Sequence, residues 1–197
     1  MNIDTSNLLN SILGELSSLS YVHPGDVPNI DLYMDQVTTF MDEQLASTKR
    51  YPDDKILTKT MINNYAKNHL LPAPDKKKYS KEHLLLLIYI YYYKSILSIG
   101  DIQSLLEPLT QRYFHKDGEM NMQSIYEEVF SLEKEQVEKM KQDVTEKYET
   151  ASRIFPEAEA EDQEFLRIFS FICLLSFDVY VKKQVIEKLI DELPKKS

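Results

Sequence analysis

Apolar residues recur at helical spacing along almost the whole chain, and the pattern is broken at only a few places. Leu8, Leu9, Ile12, Leu13, Leu16 and Leu19 fall three or four residues apart, which predicts a helix over residues 5–20. Ser17, Ser18, Pro24, Gly25 and Pro28 then mark a loop. Asp31 is the expected N-cap of a second helix, with Leu32, Val37, Phe40, Met41 and Leu45 along one face. Residues 46–55 are polar and contain Pro52, so they read as a connecting loop. Thr58 or Thr60 opens a third helix through Met61, Ile62 and Tyr65. Pro72 and Pro74 end it, because proline lacks an amide proton and disfavours a helical residue before it.

Ser80 caps a fourth helix, in which Leu84 to Tyr93 is almost wholly apolar; such a helix must be buried on nearly every side. Ser98 caps a fifth, with Ile99, Ile102, Leu105 and Leu106 on one face and Pro108 shortly after. Beyond the turn Lys116-Asp117-Gly118 the chain reads as two long helices, 123–154 and 161–193, separated by Phe155-Pro156 and a glutamate-rich joint. Together they form an antiparallel hairpin whose apolar stripes need a partner surface.

With only 4 glycines and 8 prolines, the composition disfavours a turn-rich β-sandwich or barrel and agrees with a mainly α chain. Cys173 is the single cysteine, which excludes an intramolecular disulfide and a cysteine-rich metal site. Its place in an apolar run predicts an inert core residue. His23, His69, His83 and His115 lack metal-ligand spacing. No glycine-rich phosphate loop, nucleophile elbow or His-Glu metal motif occurs, so neither an enzyme nor a cofactor is expected. Tyr89, Tyr91, Tyr92 and Tyr93 read as a buried helix with its hydroxyls at the rim. Phe165 to Val181 contains Arg167 and Asp178 and falls short of the roughly 20 apolar residues of a membrane span. The N-terminus has no basic segment or small-residue cleavage site of a signal peptide, so the expected location is the cytoplasm.

Charge changes the picture more than composition does. The chain carries a formal net charge of -9, yet residues 51–106 carry +3. Lys59, Lys67, Lys76, Lys77, Lys78 and Lys81 supply most of that island. Attraction to phosphate acts over about one Debye length, ~8–10 Å, so a local basic footprint is sufficient for nucleic-acid binding. A short helix, a proline-broken lysine-rich loop, a long apolar helix and a second capped helix have the layout of a winged helix-turn-helix. Thr58, Lys59, Thr60, Asn63, Asn64 and Lys67 supply short polar and basic groups opposite Met61, Ile62 and Tyr65, and Tyr65 and Tyr79 suit packing in the core or wing better than reading bases. Asparagine can pair with adenine in a bidentate way, and Lys76, Lys77 and Lys78 suit the phosphate backbone beside the groove.

The run Ile62-Asn63-Asn64-Tyr65-Ala66-Lys67-Asn68-His69-Leu70-Leu71-Pro72, then Tyr79-Ser80, then Leu97-Ser98-Ile99-Gly100-Asp101-Ile102-Gln103-Ser104-Leu105-Leu106, resembles the DNA-binding domain of the MerR family of bacterial transcriptional regulators. Asn63 stands where that family has arginine and His69 where it has glycine. The wing is short, Ala73 to Lys78, and the turn before the recognition helix is long. The segment Ile30-Asp31-Leu32-Tyr33-Met34-Asp35-Gln36-Val37, with Lys59-Thr60-Met61-Ile62-Asn63-Asn64-Tyr65, resembles an uncharacterised bacterial domain family of unknown function with a MerR-like DNA-binding region. The resemblance implies a winged helix-turn-helix over residues 29–110, preceded by a helix and loop at 1–28 and followed by a helical dimerisation or effector region at 111–197. It also implies contacts to double-stranded DNA from Thr58, Lys59, Thr60, Asn63, Asn64, Tyr65, Lys67, Lys76, Lys77, Lys78 and Tyr79. The expected protein is a homodimeric transcriptional regulator. The main alternative is a protein–protein adaptor on a winged-helix scaffold, and a third is a regulator that senses a small-molecule or protein effector through its C-terminal helices.

Overall fold

The computed structural model describes residues 5–18 and 21–193 and is mainly helical. Its contacts divide it into two compact units. One combines residues up to 20 with 132–186; the other combines 21–131 with the residues from 187 onward. The boundaries drawn from sequence, at 28 and 110, differ because helical periodicity does not reveal which distant helices pack together.

The first unit contains α1 (Thr5–Ser18), α7 (Glu133–Ser152) and most of α8 (Ala160–Asp191). Leu19, expected on the stripe of α1, lies outside the described residues. α1 packs on α7, and side chains of α8 meet those of α7. Tyr148 meets Phe171 edge-on at 5.6 Å, and Lys147 Nζ bridges Asp143 and Asp178, the latter at 2.9 Å. Hydrogen bonds from Lys147 hold the Asp178 carboxyl below its ordinary value. Cys173 is exposed rather than a core residue. α8 turns Ile168, Phe171 and Leu175 toward the cavity of this unit, and Cys173 falls on another side of the helix.

The second unit is built from a two-stranded sheet, β1 (Leu32–Tyr33) with β2 (Lys78–Tyr79), and from α2 (Met34–Gln44), α3 (Lys59–Lys67), α4 (Lys81–Tyr93), α5 (Ile99–Tyr113) and α6 (Met122–Ser131). α4 is its core: His83 to Ile90 are all buried, with α5, α6 and β2 packed around the helix. Tyr126 joins this core, its hydroxyl donating to the Val22 carbonyl at 2.7 Å.

Three expectations change here. Asp31 does not cap α2; Leu32 and Tyr33 pair with Tyr79 and Lys78, so the helix starts after the strand, with Gln36 Oε1 accepting from the Tyr33 amide at 2.9 Å. α5 continues through Pro108 to Tyr113. The proline removes one amide, but Leu105, Leu106, Leu109 and Tyr113 still bury part of their surface, and packing outweighs a single hydrogen bond. The long helix expected over 123–154 is two helices, α6 and α7, meeting at Leu132, where the units also divide.

The C-terminus of α3 explains the histidine in the glycine position. Asn68 is the C-cap, and His69 follows with φ +58°, in the left-handed region. The Leu70 amide donates to the Tyr65 carbonyl at 2.9 Å and the His69 amide to the Ala66 carbonyl at 3.2 Å, the two bonds of a Schellman stop. A side chain there costs about 1–2 kcal/mol, partly offset by glycine's greater freedom when unfolded. Because His69 is exposed, His69→Gly is expected to stabilise the protein by about 0.5–1 kcal/mol. A rise in the urea midpoint at unchanged slope checks this; no rise would show that the imidazole contributes a compensating contact.

Candidate nucleic-acid interface

Nine residues make α3, and its two faces are chemically distinct. Ile62 and Tyr65 are buried, whereas Lys59, Thr60, Asn63, Asn64 and Lys67 are exposed and fall within one arc of the helix. Thr58 serves as N-cap, its Oγ1 accepting from the Met61 amide at 3.2 Å, so its hydroxyl is committed to the helix. Tyr65, 8% exposed, and Tyr79, 3%, lie in the core beneath this face rather than on it. Burial raises the pKa of both phenols. The contact role that the resemblance implied for them is therefore corrected to the packing role their residue type favoured, support of the backbone that carries the exposed residues.

The loop before α3 is long but anchored. The Thr48 and Tyr91 hydroxyls hydrogen-bond, and Lys94 Nζ donates to the Ile56 carbonyl at 2.8 Å while lying 4.6 Å over the Tyr91 ring. Burial lowers the pKa of Lys94, which belongs to the loop anchor even though it contributes to the basic island by composition. Ile56 and Leu57, buried beside these anchors, deliver the chain to Thr58.

The lysine-rich loop is a tight hairpin. Asp75 bridges Lys78, with the Lys78 amide donating to the Asp75 carbonyl at 2.8 Å. Lys76 and Lys77 occupy the two central positions with φ +46° and +67°. A hairpin turn with two left-handed residues ordinarily takes Asn-Gly, and each lysine held there costs on the order of 1 kcal/mol. Both lysines are exposed. Lys78 is half-buried, its Nζ 5.3 Å over the ring of Tyr33, an exposed strand residue with no helical signature in the sequence. Lys59 pairs with Asp35, two residues after Tyr33, so the start of α3 is tied to the base of the hairpin. Asp35 thus opposes part of the basic island, an acidic neighbour that came from a different helix.

His83 fixes the junction between β2 and α4. Its Nδ1 accepts from the Ser80 amide at 3.0 Å, closing the first turn of α4, while its ring packs edge-on against Tyr79 and Phe114. Burial lowers its pKa from 6.5 to about 4; nearby His115 acts in the same direction, and the Ala73 and Pro72 carbonyls and Asp31 act against it. His115 is itself paired with Glu82 at 2.8 Å. Between pH 6.5 and about 4 the unfolded chain binds a proton at His83 that the folded chain excludes, so stability contributed above pH 6.5 is lost as pH falls. The loss is roughly 3 kcal/mol by the end of that window. Gln at this position preserves an N3 acceptor for the cap. His83→Gln is therefore expected to flatten the decline in unfolding free energy over this range; an unchanged pH profile would remove His83 as its source.

Among the described residues no group of three His, Cys, Asp or Glu side chains could hold a metal ion, and no helix is long and apolar enough to cross a membrane. No curated protein and no solved structure matches the chain. One family does match, over residues 22–129, more than half of the chain and nearly the continuous part of the second unit. With its sheet, α3 and lysine hairpin all inside that segment, the chain belongs to the family described as Domain of unknown function (DUF1836).

Proposed function

We propose that this protein is a DNA-binding transcriptional regulator of MerR-like type that reads duplex DNA as a homodimer. The observation that carries the proposal is the hairpin tip. Two exposed lysines occupy left-handed positions where asparagine and glycine are more stable, and the hairpin's base is tied to a helix presenting Lys59, Thr60, Asn63, Asn64 and Lys67. Stability given up at an exposed turn to hold two positive charges is explained by a phosphate backbone beside them. α3, about 13 Å long at 1.5 Å per residue, is compatible with a major groove about 12 Å wide. Asn63 and Asn64 then meet base edges while Lys67 and the hairpin lysines meet phosphates.

The dimer follows from α8. Phe165, Phe169, Cys173, Phe177 and Val181 form one ridge of residues four apart, and all are exposed, Phe165 and Phe177 by about two-thirds. Soluble monomers rarely leave such a continuous apolar strip uncovered. Acidic Asp162 and Glu164 lie before the strip and basic Lys182 and Lys183 after it, so a second α8 in antiparallel orientation matches charge as well as apolar surface. The test is retention of genomic duplex fragments with affinity falling steeply with salt, together with light scattering at micromolar concentration. A protein that retains no fragment even at low salt is not a DNA reader, and the adaptor reading then takes its place.

A further inference from the structure

Within the first unit, α1, α7 and α8 line a partly open cavity of about 440 Å³. Its walls are almost entirely hydrocarbon, from Leu9 and Ile12 on α1, Ala151 on α7, and Ile168, Phe171 and Leu175 on α8. Arg167 brings a charge to this wall. Its Nε is buried without a hydrogen-bond partner, and among the described residues no carboxylate pairs with it.

The polar neighbours do not take up the Arg167 Nε. The Ser152 hydroxyl donates to the Tyr148 carbonyl at 2.8 Å, and the Tyr148 ring is packed edge-on against Phe171. Guanidinium stays charged at any ordinary pH, and its planar donors match a carboxylate. An unpaired buried donor is unfavourable, and apolar walls gain dispersion attraction from hydrocarbon placed against them. One kind of molecule answers both, a single carboxylate on a hydrocarbon body. At about 30 Å³ for each water-sized group, the space suits on the order of a dozen non-hydrogen atoms.

We propose that this cavity binds a medium-length hydrophobic carboxylate, with its head on Arg167 and its tail along Leu9, Ile12, Ile168 and Leu175. The site belongs to the unit outside the matched family segment, and the proposal stands whether or not the protein binds DNA.

Decanoate, kept below its micelle concentration, is the probe, and decanol supplies the same tail without the charge. Titration calorimetry on the full chain is expected to give one saturable decanoate site, with decanol bound at least about tenfold more weakly. Arg167→Gln should weaken decanoate at least about tenfold while leaving decanol unchanged, and Ala151→Leu, which fills the cavity, should weaken both. In the unliganded protein Arg167→Leu should raise Tm, because it removes an unsatisfied buried donor while keeping most of the packing. Equal binding of decanoate and decanol, or decanoate binding unchanged by Arg167→Gln or Ala151→Leu, overturns the proposal. A fall in unliganded Tm on Arg167→Leu overturns it too, since Arg167 would then serve the fold.

Discussion

Replacing Lys76 by asparagine and Lys77 by glycine is expected to make the protein more stable and, on the proposed function, a poorer DNA binder at the same time. The two effects have separate physical origins. Both positions sit at positive φ at the tip of the hairpin, so Asn-Gly relaxes the backbone and should stabilise the fold by about 1–2 kcal/mol. The same change removes two positive charges, and the slope of log K against log salt should fall by about 0.9 for each phosphate that is no longer neutralised. Reversing charge at all three of Lys76, Lys77 and Lys78 adds repulsion and should weaken binding by roughly 100-fold or more at moderate salt. Lys78 also rests over Tyr33, so the triple change carries a structural cost that the Asn-Gly pair does not. Fluorescence anisotropy across a salt series, paired with urea unfolding of each variant, separates charge from strain. If the Asn-Gly protein binds DNA with the wild-type salt slope, the hairpin does not touch phosphate. Asn63→Ala and Asn64→Ala should instead lower discrimination between sequences by about 1–3 kcal/mol while leaving the salt slope in place.

The second large effect is expected on α8. An antiparallel pair that matches acidic 162 and 164 with basic 182 and 183 places its two-fold axis near residue 173. Phe169 then meets Phe177 of the other copy, Phe165 meets Val181, and the two Cys173 side chains face one another. Phe169→Glu with Phe177→Glu buries four carboxylates in such an interface, so the scattering mass should fall from twice 23.1 kDa to one. Mild oxidation of the wild type should yield a disulfide-linked dimer that Cys173→Ser abolishes, since a disulfide requires Cα atoms within about 7 Å. A wild-type monomer at micromolar concentration ends the dimer proposal. A dimer that resists cross-linking places its axis elsewhere on the helix.

Much of the helical content was legible because its signals are local. Ser98 was readable as a cap and Thr58 as one of two possible helix starts, and each accepts from the amide three residues on. The all-apolar run from Leu84 required burial on every side, and α4 is the core of its unit. The exposed arc of α3 followed from 3.6-residue periodicity. Tyr65 and Tyr79 entered the expected site through the resemblance, whereas their residue type favoured packing, and their burial agrees with packing. Tyr33 was missed for the converse reason: a two-residue strand carries no periodicity, so its pairing with Lys78 is visible only once the chain has folded.

By itself, then, the sequence determined where α4 and α5 start, which face of α3 is apolar, where the positive island lies and that no disulfide closes the chain. These are properties of neighbouring residues and of counting. The tertiary structure alone decided that Lys59 meets Asp35, that Lys94 anchors a loop, that Cys173 is exposed, that Arg167 borders an apolar cavity and that the units divide at Leu132. Each of those depends on a partner far along the chain, and the free energy of a charge or thiol is set by the groups that surround it.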